Sequence, residues 1–401
     1  MPQSSDHADL IIVGGGIVGL ATAWRFQQRM PDCSVAVVEA EKQVARHQSG
    51  HNSGVLHSGI YYKPGSQKAI NCRTGKAAME AFCDEHQIPW QRCGKVVVAT
   101  DHRELDSLDR IADRANQNGV QVQRLDSDQL RQREPNAAGI AALLVPETGI
   151  VDYAVVCQRL AQRITDGGGK MHFGARITSI ESRPQSIRLQ SRDGQVFHGG
   201  KMINCGGLHS DRLCRMSGVT PDVQIVPFRG EYYELAPQRQ SLVKHLIYPV
   251  PDPSFPFLGV HFTRMIGGGV ECGPNAVLAF AREGYDWKTI RLKDVAQTFR
   301  YGGFRRLALR HWKAGLGEMH RSLRKPAFVK ALQKLLPTLQ ESDLVPGRAG
   351  VRAQAVSNNG TLIDDFLIQS SQSAIHVLNA PSPAATASLA IADTIIDQIE
   401  R

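Results

Sequence analysis

The chain has 401 residues, 42% of them hydrophobic, enough to bury a core around a cofactor in one large domain or two ordinary ones. Its formal charge of +9 is local: ten Lys/Arg against one acid, Glu318, lie between Arg300 and Lys334, leaving the remainder formally neutral, which argues against a uniformly basic nucleic-acid binder. Eight cysteines lack CxxC spacing or metal-like pairing with histidine, and no apolar run of about twenty residues occurs, so neither a structural metal nor a spanning helix is expected.

The start, "MPQSSDHADLIIVGGG", has no basic run before its short apolar stretch, unlike a signal peptide, and a cytoplasmic chain with reduced thiols is expected. "ADLIIVGGGIVGLATAWRFQQRMPDCSVAVVEAE" then reads as strand, glycine turn, helix and strand, one βαβ unit. A long loop, "HQSGHNSGVLHSGIYYKPGSQKAINC", follows, dense in His, Ser, Asn, Gly and Tyr. Beyond it come a helical pattern in "TGKAAMEAFCDEH", a buried strand in "GKVVVAT", an amphipathic helix in "RELDSLDRIADRANQNG", and a strand with a short helix in "QVQRLDSDQLRQREP". "YAVVCQRLAQRITDGGG" predicts a helix, "KMHFGARITSIES" a strand, and "KMINCGGLHSDRL" a strand entering a glycine turn at Gly206. From "IVPFRGEYYELAP" to "GGVECGPNAVLAF" the pattern is mostly strand-like with frequent prolines, which predicts a separate antiparallel sheet. The final "AIHVLNAPSPAATASLAIADTIIDQIE" predicts strand, turn and helix, with Ser382 and Pro383 at the cap and first turn. The fold class is therefore α/β. A Rossmann-like nucleotide domain (8–85, 150–220 and 345–401) is interleaved with an α+β substrate domain (86–149 and 221–344) on a mainly antiparallel sheet.

Gly14, Gly16 and Gly19 fit GxGxxG between a predicted strand and a predicted helix, the context in which that pattern signifies a dinucleotide site. Gly14 permits the tight turn, Gly16 the approach of a pyrophosphate, and Gly19 close packing of helix on strand. The helix N-terminus offers N–H groups and partial positive charge. Glu39 ends the second strand, placed to accept hydrogen bonds from a ribose diol. Its charge argues against NADP, but the fingerprint alone does not separate FAD from NAD.

The opening loop, with "IIVGGGIVGLATAWRF", "PETGIVDY", "NCGGLHSDR", "PFRGEYYEL", "GVHFTR", "GGGVECGPNAVLAF", "HWKAGLGEM" and "NAPSPAATASLAIA", resembles the L-2-hydroxyglutarate oxidase/dehydrogenase family. That family lies within the D-amino-acid-oxidase and glycerol-3-phosphate-dehydrogenase-like flavoproteins. The resemblance covers nearly the whole chain and implies FAD. It places Gly14, Gly16, Gly19 and Glu39 at the ADP half, and Gln48, Ser49, Asn52 and Ser53 at the pyrophosphate, ribityl or ring region. Arg176 and Ile177 would pass the adenine, with Gly206 in the glycine turn nearby. Backbone N–H groups of Ser382, Pro383, Ala384, Ala385 and Thr386 would be directed at the flavin pyrimidine edge, as far as proline permits.

Oxidising a 2-hydroxy acid requires a base for the hydroxyl proton and cations for carboxylates. His57 and His261 are the base candidates, unranked by sequence. Arg229 and Arg352 are the candidate carboxylate forks, and Tyr61 and Tyr232 candidate hydroxyl contacts. The expected activity is oxidation of L-2-hydroxyglutarate to 2-oxoglutarate. Another 2-hydroxy acid, an amino acid or glycerol 3-phosphate is the alternative within the flavoprotein group, and a non-catalytic, membrane-binding nucleotide fold the alternative outside it. The basic segment 300–334 interleaves its cations with Phe304, Leu307, Leu309, Trp312, Leu316, Met319 and Leu323, a composition suited either to an anionic bilayer face, with electrons passing to quinone or oxygen, or to packing on the substrate domain.

Overall fold

A computed structural model describes residues 6–252 and 258–399; residues 253–257 of the expected substrate domain lie outside the described residues. Asp6–Val13 and Val35–Val38 pair in parallel, joined by the helix Ile17–Arg29. Leu10 to Val13 and Val35 to Val38 are buried in succession, because a parallel sheet covered on both faces needs apolar side chains at every position. Lys170–His172 extends this sheet beyond Val35–Val38, and Val196–Asn204 pairs in parallel on the other side of Asp6–Val13. The first half of Val196–Asn204 takes Ser186–Ser191 antiparallel, and its second half takes Ala374–Asn379 in parallel. Four helices, Ile17–Arg29, Gln67–Glu85, Tyr153–Asp166 and Ser388–Ile396, share one apolar cluster on this sheet among the described residues.

The second sheet has eight strands in the order Leu344–Ser357, Val223–Leu235, Val270–Leu278, His261–Arg264, Leu246–Pro249, Lys95–Ala99, Ala141–Val145, Gln123–Asp126. Only Leu246–Pro249 and Lys95–Ala99 pair in parallel. One face is closed by Phe328, Val329 and Leu332 of the helix Lys325–Leu332 and by Leu335, Leu336 and Leu339 after it. The other face is covered in part by the helix Leu105–Gln117 and otherwise borders a cavity. Residues 345–357, expected in the nucleotide domain, lie instead in the antiparallel sheet, because Leu344–Ser357 pairs along Val223–Leu235.

The terminal helix differs from expectation as well. It spans Ser388–Ile396 and begins six residues after Ser382, with 382–387 forming turns before it. Ser382 and Pro383 carry a local cap signature, yet the chain spends these residues lining the cavity.

Gly19 sets how closely the first helix approaches its strand. A Cβ there would lie 2.1 Å from Gly14 O, a backbone atom that cannot yield. Gly19→Ala is expected to cost roughly 1–3 kcal/mol through overpacking, read as a lower denaturant midpoint with unchanged slope.

Candidate active site

A cavity of about 1040 Å³ runs between the two sheets, at the upper end of ordinary ligand sites and long enough to reach from the glycine turn to both candidate histidines. Gly14 forms its first corner at φ +117°, and a Cβ there would lie 2.4 Å from Cys205 O. Gly16 caps the helix Ile17–Arg29, and the Ile17 N–H donates to Ser49 Oγ at 2.9 Å. Gly19 does not line the cavity. Its contribution is the packing described above, which corrects its assignment as a cofactor contact.

Glu39 lines the same end, buried, with its carboxylate accepting from the Gly15 N–H at 2.5 Å and the Glu41 N–H at 2.8 Å. Burial pushes its carboxyl up, against the pull of those two donors. Arg176 and Ile177 lie alongside. Arg176 Nη2 binds Glu41 at 2.8 Å and Glu283 at 2.9 Å, and Glu283 also takes His209 Nε2 at 2.9 Å. Burial opposes the charge on Glu283, but the hydrogen bond from His209 and the Arg176 guanidinium hold its carboxyl below the ordinary range. Glu41, His47 and Glu283 bring three metal-type ligand atoms within 4.8 Å, and Arg176 already supplies the cation between the carboxylates.

The loop after Glu39 is shaped by its own polar side chains. Asn52 donates to Gln48 O at 3.1 Å and Ser49 O at 2.7 Å, while its carbonyl accepts from the Gly54 N–H at 2.8 Å. Gln48, Ser49, Asn52 and Ser53 are thereby turned into the cavity wall, opposite Gly206. Ser382, Pro383, Ala384, Ala385 and Thr386 complete the wall at the far end. The Thr386 hydroxyl bonds Val55 O at 3.1 Å and Tyr153 Oη at 2.9 Å and accepts from the His57 N–H at 3.1 Å, so it is engaged by protein. Among the described residues the N–H groups of Ala385 and Thr386 have no partner. Unpaired amides along a cavity wall fit an anionic or carbonyl-rich group bound there.

His57, His261, Tyr61, Tyr232 and Arg352 line that same end. Burial, and then the nearby Lys95 charge, lower the His57 imidazolium to about 3. Burial lowers His261 to about 4, opposed by its hydrogen bond to Gly259 O. That bond, 2.9 Å from Nδ1 to a carbonyl that only accepts, puts the proton on Nδ1 and leaves the Nε2 lone pair free. His57 Nε2 lies 3.5 Å from Ser382 Oγ. Both imidazoles are therefore neutral proton acceptors, and a bound carboxylate would raise their basicity. Arg352 is exposed towards the cavity, and desolvation by the surrounding protein lowers its guanidinium.

Arg229 is a correction. It is 1% exposed, bonds Glu231 at 2.7 and 3.1 Å and Asp286 O at 2.8 Å, and lies 4.3 Å from the Trp287 ring. Strand pleating turns Phe228, Gly230 and Tyr232 to the cavity and Arg229 to the opposite face. Two cations at this end carry no sequence signature of a site. Lys68 lines the cavity and bonds Asp364 through its carbonyl at 2.8 Å and its carboxylate at 2.9 Å, although its place beside the helix cap Ser66 suggests an ordinary surface lysine. Lys95, at the head of an apolar strand, resembles a snorkelling strand end. Tyr248, whose ring centre is 4.0 Å from that of His261, likewise carries no such signature.

A family model for FAD dependent oxidoreductases matches residues 9–398. The chain is 50% identical over 390 residues to the L-2-hydroxyglutarate dehydrogenase of Indibacter alkaliphilus, covering 97% of this chain and 98% of that one. It is 44% identical to the Escherichia coli L-2-hydroxyglutarate dehydrogenase (98% and 93%) and 42% identical to the mitochondrial one of Homo sapiens (99% and 90%). Among solved structures, the FAD-bound L-alpha-glycerophosphate oxidase of Mycoplasma pneumoniae superposes with a TM-score of 0.81 over 99% of this chain and 95% of that one, at 20% identity. That likeness shows the fold.

The neutral histidines carry a linkage signature. The unfolded chain binds their protons below about pH 6.5 and the folded chain does not, so stability present above that pH is lost as pH falls towards 4. A His57→Gln, His261→Gln double variant is expected to show a shallower decline in denaturant midpoint over that window, the remainder coming from groups such as His376, also lowered to about 4. An unchanged slope would remove the two imidazoles as its source.

Proposed function

The chain belongs to the FAD-dependent oxidoreductases and, within them, to the L-2-hydroxyglutarate dehydrogenases, and we propose from this that it oxidises L-2-hydroxyglutarate to 2-oxoglutarate. The near-full-length identity to these dehydrogenases carries the substrate. FAD, when bound, supplies the acceptor for the two electrons leaving C2. Gly14, Gly16 and Glu39 would hold its ADP half, the loop from Gln48 to Ser53 its middle, and the Ala385 and Thr386 N–H groups its pyrimidine edge. Those amides favour negative charge at the edge they face, at no cost in reorganisation.

His261 is the preferred base, because its free Nε2 and carbonyl-locked Nδ1 fix one tautomer ready to take the hydroxyl proton. His57, tethered by its own N–H to Thr386, orients the opposite side of the substrate. Arg352 takes the carboxylate next to C2. Its place on the wall of a cavity between two sheets strengthens that contact relative to one made in open water.

Anaerobic mixing of the yellow protein with single compounds tests this assignment. L-2-hydroxyglutarate is expected to bleach the flavin, and the D-enantiomer, glycerol 3-phosphate and amino acids to leave it oxidised. His261→Asn is expected to slow bleaching about 100-fold or more at unchanged flavin content. Bleaching by an amino acid alone would overturn the substrate, and an unslowed variant the base.

A second element concerns the electron acceptor. Leu309, Trp312, Leu316 and Leu323 are 56–77% exposed on the helical segment Gly302–Leu323, which kinks at His311, with Arg305, Arg310 and Lys313 exposed among them. Among the described residues no helix is long and apolar enough to cross a membrane. Exposed apolar side chains set among cations suit the face of an anionic bilayer, each cation adding about 1 kcal/mol near such a surface. Electrons would then pass to a membrane quinone, with oxygen as the secondary acceptor. Co-sedimentation with anionic vesicles is expected, abolished in a Leu309→Ser, Trp312→Ser, Leu316→Ser variant and reduced by high salt. Equal sedimentation of the variant removes the membrane assignment.

A further inference from the structure

Lys95 is 1% exposed and opens the strand Lys95–Ala99, whose other four residues are all apolar and buried. Its Nζ lies 4.7 Å from the Tyr61 ring centre and 5.2 Å from the Tyr248 ring centre. Among the described residues no carboxylate pairs with it, and its ammonium makes no hydrogen bond. The titratable groups coupled to it are Cys72 from the helix Gln67–Glu85, with its thiol pushed up to about 12 by burial, and the imidazoles of His57 and His261, which its charge helps to keep neutral. Burial brings the ammonium itself down to about 7. A leucine or methionine would serve the packing of this strand better than a desolvated cation without a counter-ion.

The two rings that contain Lys95 both line the cavity, while Lys95 stands behind them. Tyr61 Oη is buried and has no hydrogen-bond partner, and the Tyr248 ring packs on His261. A cation fixed behind a wall that carries an unused hydroxyl donor is complementary to an anion arriving from the cavity side. Arg352 provides one cationic fork at this end. Lys68 is held by Asp364, whose carboxylate would repel a second anion.

We propose that Lys95 is a positioning and specificity-determining residue. Through the Tyr61 and Tyr248 rings it supplies the positive field that selects a dicarboxylate over a monocarboxylate, with Tyr61 Oη donating to the second carboxylate. The inference rests on the L-2-hydroxyglutarate assignment and names the part of the site that reads the far end of that substrate. An arriving anion favours the protonated form of Lys95, and that charge attracts a dianion about twice as strongly as a monoanion at the same place, so its removal changes the ratio between the two.

The experiment compares L-2-hydroxyglutarate with L-2-hydroxyvalerate, the five-carbon acid lacking the second carboxylate, in the FAD-loaded wild type, Lys95→Met and Tyr61→Phe. In Lys95→Met the diacid-to-monoacid ratio of kcat/KM is expected to fall about tenfold or more, mainly through KM for the diacid. The thermal midpoint is expected to hold or rise, since a merely structural lysine would lower it when lost. Tyr61→Phe is expected to lower the same ratio and decides the matter if Lys95→Met fails to retain flavin. An unchanged ratio, or equal losses for both acids, overturns the inference alone. Wild type bleached by neither acid removes the substrate assignment and this inference with it.

Discussion

The hydroxyl of Thr386 joins three parts of the chain that are far apart in sequence. It bonds Val55 O, Tyr153 Oη and the His57 N–H, fixing the final turn, the loop after the second strand and the helix Tyr153–Asp166 to one another. The unpaired amides of Ala385 and Thr386 and the imidazole of His57 inherit their positions from that junction. Thr386, Val55 and Tyr153 are buried and His57 half-buried, in a medium where a lost hydrogen bond strands several polar groups at once. The cavity wall is therefore rigid where the chemistry requires it.

Charge around the cavity is divided by its ends. At the glycine turn, Arg176, His209, Glu41 and Glu283 satisfy one another, so the surface presented there is polar and nearly balanced. At the histidine end, Arg352 and Lys95 outnumber acids, and both imidazoles are kept neutral by burial. That end would thus attract an anion while both imidazoles stay unprotonated, and a bound carboxylate would bring their basicity back towards neutrality.

The nucleotide half was legible in the sequence because its demands are local. The turn at Gly14, the packing at Gly19 and the acid at Glu39 each follow from backbone geometry within one βαβ unit. The site beyond it depends on strand parity, which the sequence hides: residues 223–227 of the strand Val223–Leu235 are buried in succession, so no polar alternation tells Arg229 from its cavity-facing neighbours. Lys95 was concealed for a related reason, since a lysine heading an apolar strand looks the same whether its ammonium reaches water or lies between two rings. The turn at 382–387 was misread because Pro383 carries a helix-start signature that the tertiary fold uses elsewhere.

Asp6–Val13 is completed on one side by Val196–Asn204, which is itself completed by Ala374–Asn379, and the helix Ile17–Arg29 packs on Ser388–Ile396. The strand Asp6–Val13 therefore waits for Ala374–Asn379 before its layer closes. Vectorial synthesis leaves the glycine turn and its apolar helix without their cover until Ser388–Ile396 has emerged, so closure of this layer is late and non-local. A break in the polypeptide upstream of Ala374 would separate both halves of the same layer, and neither fragment would carry a finished nucleotide cradle.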